Sequence, residues 1–481
     1  MSMSLKRVPS GIDGLDDIIE GGFPRGSMIL VAGNPGTGKT IFSAQFIYRG
    51  AVDYGEKGVY VSFAEGKKSF IDYMRRFGMD FDRLEREGKV RILDMVTVTE
   101  KAVSDVLNRI VEEVLSLKAK RLVIDSFSTL AQAFKEKIEA RIILHTILGK
   151  IVKTAGCTTI LILEIPHGEE RIGLGIEEFV ADGIIILKRG GGRNRMIREI
   201  EIVKLRGTRI RQPIYPFTLE GGFHVLSLFK VVKPEKPKRW KPIPDSETHF
   251  STGSEDLDRV LGGGYERGSY IILEADTNVP LDAIRLFELP LILNFLSQNR
   301  GVAIMPAGGT SSDDIIKMVE PYVGKDVINR YLRIYEEVKP AKEQFKPYIA
   351  LMRGGATNLE RDAAAWAQIQ INLMEATGQP ILNVVGYDTY ESRYAEAPEK
   401  LFNEIGLQVT ECKAHGNLTL AIARPGLSIT RRALNMVDKH LKLVERNGSI
   451  FFYGVKPRTW LYHVNCHPTR GWPYMKLTPI V

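Results

Sequence analysis

The chain has 481 residues, 44% of them hydrophobic and 26% charged, with 66 Lys and Arg against 58 Asp and Glu for a net charge of +8. These values exclude a wholly disordered chain, and the mild positive excess permits anionic partners without requiring them. The three cysteines, Cys157, Cys412 and Cys466, are too few for a disulfide framework and fit a reducing cytoplasm; the opening MSMSLKRVPSG lacks the apolar core of a secretory leader, and no run approaches the ~18 apolar residues of a membrane span.

In chain order, the first half alternates short apolar runs with amphipathic ones. Strands are predicted at Met28–Ala32, Val59–Phe63, Val90–Leu93, Leu122–Asp125, Thr159–Glu164, Ile184–Leu187 and Ile200–Leu205. Continuous apolar runs of this length suit a sheet buried on both faces. Helices are predicted at Ile41–Ala51, Val103–Leu117 and Ile138–Val152, the last with Ile142, Ile143, Ile147 and Ile151 on one face. The alternation predicts a three-layer α/β domain with a mainly parallel sheet.

Length alone suggests about three domains, but a repeat revises this. SGIDGLDDIIEGGFPRGSMI (10–29) matches TGSEDLDRVLGGGYERGSYI (252–271) at nine of twenty positions without a gap. The chain therefore reads as two related halves: a first domain at 1–230, a Pro- and Lys-rich linker at 231–245, and a second domain at 246–481. In the linker, Trp240 among Lys236, Lys238, Arg239 and Lys241 reads as a docked side chain in a semi-rigid, solvated segment, with nucleic-acid contact the alternative.

Residues 33–40, GNPGTGKT, follow a predicted strand and open a predicted helix, the context a phosphate-binding loop needs. Gly33, Gly36 and Gly38 let the backbone of Gly33, Asn34, Pro35, Gly36, Thr37 and Gly38 curl so that N–H groups converge on phosphate oxygens, with the helix N-terminus adding its positive end. Lys39 is expected to reach the β- and γ-phosphates and Thr40 to ligate Mg²⁺. Asp125, ending the apolar run RLVIDS, supplies the acidic partner for the Mg²⁺ shell. Glu65, after VYVSFA, is positioned either as the base that orients an attacking water or as an ordinary surface carboxylate.

The runs SGIDGLDDIIEGGFPRGS, GNPGTGKT, VSFAE, LVIDS, GIEEFVADGIIIL and VKLRGT together resemble the KaiC-like branch of the RecA-type ATPases over residues 7–226. The resemblance implies two tandem RecA-like domains and a homo-oligomer, a hexameric ring, with ATP and Mg²⁺ held between adjacent subunits. It implies that Glu65 activates the water, although Ala64 stands where the family commonly has a second glutamate, so slow hydrolysis is expected. It implies that Glu164 couples the site to the rest of the domain. It also implies that Lys204 and Arg206, two residues apart on one face of a strand, reach the γ-phosphate held by a neighbour; Ile210 replaces a further family histidine. A weaker resemblance links the chain to archaeal gas-vesicle operon regulators.

The segment 188–211 holds nine cations against Glu199 and Glu201, around a tight loop expected at Gly190–Gly192 and Asn194. Beyond Lys204 and Arg206, residues Arg193, Arg195, Arg198, Arg209 and Arg211 read as a solvated hairpin, a docking site for an acidic protein, or a DNA contact. In the second half the phosphate loop is lost. The repeat offset of 242 carries Gly38, Lys39 and Thr40 onto Pro280, Leu281 and Asp282, and an offset of 243 carries Glu65 onto Gly308. NVVGYDT (383–389) reads as a strand ending in Asp388, and Lys456 and Arg458 weakly echo Lys204 and Arg206. Cys412 and His415, with His463, Cys466 and His467, have pair spacings that would suit zinc. The expected function is a Mg²⁺-dependent ATPase working as an oligomeric regulatory switch with ATP in the first domain only. The alternatives are a regulator that holds ATP with little turnover, and a recombination or repair ATPase.

Overall fold

A computed structural model describes residues 5–95, 103–132, 155–168, 181–192, 195–232, 234–337, 346–467, 471–472 and 474–481. The helix expected at Ile138–Val152, residues 175–180 of the GIEEFVADGIIIL run, and Arg193 with Asn194 lie outside them. The chain divides into two compact units, one of residues 1–227 with 479–481 and one of residues 228–478.

In the first unit the predicted strands form at Met28–Gly33, Gly58–Ser62, Val90–Asp94, Arg121–Asp125, Thr158–Glu164, Gly183–Gly192 and Arg195–Leu205. The sheet has nine strands among the described residues. Met28–Gly33 sits at its centre, parallel to Thr158–Glu164 on one side and Gly183–Gly192 on the other. One face packs Met28, Leu30 and Ala32 against Leu107, Ile110 and Val114 of the helix Val103–Leu117. The other is covered by the helix Lys39–Asp53, whose Phe42, Phe46 and Ile47 are fully buried; each such side chain contributes about 1.5–3 kcal/mol by leaving water.

The second unit builds the same frame. Its central strand Tyr270–Ala275 is parallel to Leu418–Ala423 and Lys439–Arg446 in a ten-stranded sheet. The architecture is thus tandem α/β with mainly parallel central strands, as expected. Trp240 is buried, the docked side chain expected of it. Its indole N–H donates to Asn294 Oδ1 at 3.3 Å, and its ring lies 4.7 Å from that of Trp472.

Candidate nucleotide site

The loop 33–40 links the central strand to the helix Lys39–Asp53. Gly36 and Gly38 have φ of 76° and 101°, left-handed values that a side chain disfavours. They turn the backbone sharply enough to bring successive N–H groups to the helix N-terminus. Lys39 is buried, its ammonium donating to Gly33 O at 2.8 Å and Asn34 O at 3.0 Å. Burial pulls its pKa down while the carboxylates of Glu164 and Asp125 hold it up. Asn34 braces the loop by donating to Ile165 O at 2.9 Å and Pro166 O at 3.1 Å.

Asp125 lies opposite Ser62 at the end of its strand. Its Oδ2 accepts from Thr40 Oγ1 at 2.9 Å and from the Tyr60 hydroxyl at 2.6 Å. Burial pushes the Asp125 carboxyl up, and those two hydrogen bonds, with Lys39, oppose the rise. A carboxylate and a hydroxyl this close form a hard-oxygen donor set of the kind Mg²⁺ takes alongside phosphate oxygens and water. Thr40 and Asp125, paired by the sequence reading, are therefore together in space. Glu65 is partly buried on the turn after Gly58–Ser62, where Ser62 Oγ donates to Glu65 O at 2.6 Å. Burial first, then Asp125, raises its carboxyl above the ordinary value. Glu164 ends the strand beside Gly33.

Lys204 and Arg206 are elsewhere. Lys204 is opposite Ile184, itself level with Leu30, and its ammonium donates to Ala181 O at 2.9 Å. Arg206 pairs with Asp182 Oδ1 at 3.2 Å, and the other oxygen of that carboxylate accepts from Met28 N. The guanidinium is thus level with the start of the central strand, five residues before Gly33, or roughly 17 Å along the sheet at ~3.3 Å per residue. Arg206 thus stands at the far end of the central strand from the phosphate loop, with Lys204 level with Leu30, three residues before Gly33.

The other end of the same hairpin does meet that loop, which corrects the reading of the whole segment as solvated. Gly183–Gly192 runs through Gly190–Gly192, where a tight loop was expected, with Leu187 level with Gly33. Arg198, opposite Arg189, is buried; it donates to Gly36 O at 3.2 Å and to Val481 O at 2.5 Å. Nothing in the spacing of the hairpin cations distinguished Arg198. Likewise Tyr60 read only as a strand residue.

In the second unit the register corrects one placement. Arg424 donates to Asp276 O and Val279 O, fastening the backbone where the first unit has its phosphate loop. Asn383 is level with Thr419 and Tyr270, as Leu122 is with Thr159 and Met28. The counterpart of Asp125 is therefore Gly386, which ends the strand Leu382–Gly386. Asp388 lies in the following helix, where Oδ2 accepts from Gly308 N at 2.9 Å. Cys412 and Cys466 are buried free thiols, and no group of three potential metal ligands occurs among the described residues. Nor is any helix there long and apolar enough to cross a membrane.

Residues 8–227 match the family model of the KaiC ATPase, and residues 239–481 match that of GvpD basic region 2. The circadian clock oscillator protein KaiC of Prochlorococcus marinus (strain MIT 9313) is 28% identical over 390 residues, 75% of this chain and 76% of that protein. Its counterpart from Synechococcus elongatus is 33% identical over 282 residues, 57% of this chain and 53% of that protein. A crystal structure of a KaiC-like protein from Pyrococcus horikoshii OT3 is 42% identical, covering 46% of this chain and all of that one, with a TM-score of 0.42.

Proposed function

Because the chain belongs to the KaiC-like branch of the RecA-type ATPases, we propose that it is a Mg²⁺-dependent ATPase acting as an oligomeric regulatory switch, with nucleotide bound by the first unit alone. The loop Gly33–Thr40 holds the phosphates, Lys39 neutralises them, and Thr40 with Asp125 holds the metal, which when bound offsets charge on the phosphate oxygens. Glu65 orients the attacking water and accepts its proton.

One observation carries the oligomer: Arg206 is level with Met28, at the far end of the sheet from its own Gly33. An arginine spans less than half of roughly 17 Å, so Arg206 is out of reach of its own nucleotide and, with Lys204, serves that of an adjacent copy. A closed ring, six subunits in our reading, satisfies every site in this head-to-tail manner. The second unit, without a phosphate loop, serves assembly.

Mixing tests this. Lys39→Ala chains lack a nucleotide grip but keep the cations; Arg206→Ala chains have the reverse. Each alone should turn over ATP about 10³-fold or more slowly than the wild type, and mixing them should restore part of the activity. Two inactive variants that never complement would defeat the trans arrangement.

A second reading is favoured by the match of 239–481 to GvpD basic region 2 and by the exposure of Arg209 and Arg211. In it the ATP-bound chain captures an acidic protein and hydrolyses little. Tight ATP binding with negligible turnover at saturating protein would select it. Single-strand DNA affinity falling steeply with salt would instead favour a repair role.

A further inference from the structure

We propose that Tyr60 is a positioning residue for the metal: its hydroxyl and that of Thr40 clamp the same oxygen of Asp125, turning the carboxylate so that Oδ1 serves the metal's shell. The inference rests on the nucleotide reading of the first unit.

Tyr60 lies in the strand Gly58–Ser62, opposite Val123, while Asp125 lies opposite Ser62 on the next strand. Residues two apart on a strand share a face, so Tyr60 and Asp125 point to the same side of the sheet. The helix Lys39–Asp53 covers that side and contributes Thr40 and Ser43, one turn apart. Four oxygen-bearing side chains therefore meet in one small buried space. The Tyr60 hydroxyl is 2.6 Å from Asp125 Oδ2 and 3.4 Å from Ser43 Oγ, and Thr40 Oγ1 is 2.9 Å from the same Oδ2. Tyr60 is fully buried, and a phenol is protonated at neutral pH in any case. It is thus a fixed donor.

The geometry has a chemical consequence. A carboxylate free to rotate about its χ2 would divide its time among Lys39, the loop and the metal. With both hydroxyls on Oδ2, rotation breaks two hydrogen bonds at once, one of them short and to a charged acceptor. Partners of this kind behind a metal-binding group typically change metal affinity 10- to 100-fold. The ring itself is held independently, 4.3 Å from Phe70, which in turn packs 5.1 Å from Phe81. Removing only the hydroxyl therefore leaves the packing in place.

The experiment titrates Mn²⁺ into the full chain saturated with a non-hydrolysable ATP analogue, read by electron paramagnetic resonance, and measures analogue affinity separately in EDTA. Tyr60→Phe should weaken Mn²⁺ about tenfold while analogue affinity in EDTA stays within twofold. Phe70→Leu, which disturbs the ring stack but keeps the hydroxyl, should leave Mn²⁺ affinity unchanged even if it lowers thermal stability more. Wild-type Mn²⁺ affinity in Tyr60→Phe, or equal weakening in Phe70→Leu, would overturn the assignment to the hydroxyl. Failure of the wild-type chain to bind the analogue in EDTA would overturn the nucleotide reading itself.

Discussion

Lys204 and Lys456 occupy the same place in their respective units. Each lies across from the residue before a strand irregularity, between Ile184 and Ile185 in one unit and between His440 and Leu441 in the other. Each ammonium donates to a backbone carbonyl, of Ala181 at 2.9 Å and of Val437 at 2.6 Å. The next residues also correspond: Asp182 accepts from Met28 N, and Asp438 from Tyr270 N. The second unit lacks a phosphate loop yet keeps these two hydrogen bonds at the base of the segment carrying Lys456 and Arg458, the counterpart of the finger proposed for Lys204 and Arg206.

That retention predicts an assembly role. Trp460, two residues beyond Arg458, is the most exposed of the large hydrophobic side chains among the described residues, at 68%. Lys456→Ala combined with Trp460→Ala should shift the chain to smaller species by mass photometry. ATP affinity should stay within twofold. Unchanged assembly would reduce the finger of the second unit to a relic of the duplication.

Arg198 should matter for nucleotide grip although it carries no phosphate in our reading. One of its two donations fixes Gly36 O and the other Val481 O, and removing a buried guanidinium from such partners leaves carbonyls unsatisfied at about 1–3 kcal/mol each. Arg198→Ala should weaken ATP binding about tenfold, equivalent to about 1.4 kcal/mol. Arg211→Ala, exposed on the same segment, should leave it unchanged. Isothermal titration calorimetry distinguishes the two.

Turnover should fall on acidification at a higher pH than an ordinary glutamate would give, because burial and the neighbouring Asp125 raise the Glu65 carboxyl. Below its pKa the group is protonated and accepts nothing, so activity declines as pH drops through it. Glu65→Gln should abolish turnover at every pH while ATP still binds. The same burial costs stability above that pKa, a cost that disappears as pH falls, so Glu65→Gln should melt slightly higher than the wild type at neutral pH.

The buried thiols predict an alkaline loss of stability. Burial pushes Cys157 and Cys412 up from 9.0 to about 12. Between those values the unfolded chain has released protons that the folded chain retains, so stability is full below about pH 9 and drains as pH rises toward 12. The slope is about 1.4 kcal/mol per pH unit for each thiol. Urea unfolding at pH 8 and pH 10 should show it, and Cys412→Ala should remove the share of Cys412.

The phosphate loop was legible because every part of it is contiguous: glycines that permit the turn, a lysine, a hydroxyl and a helix start within eight residues. Asp125 was legible as the residue closing an apolar strand, Glu65 as one just past another, and the duplication as a repeated phrase. Asp388 was misplaced because an apolar run reads the same whether its polar end closes a strand or opens a helix. Gly386 as the true counterpart of Asp125 required the strand register.

The sequence by itself thus determined the strand and helix content, the repeat, and the presence of a triphosphate loop in one half, since periodicity and backbone freedom are properties of neighbours along the chain. Tertiary structure alone decided that Tyr60 holds Asp125, that Arg198 meets Gly36, and that Arg206 stands at the far end of the central strand from Gly33. Those relationships depend on which strands lie side by side and in what register. Strand pairing joins segments as distant as Met28–Gly33 and Thr158–Glu164, and no local pattern records it.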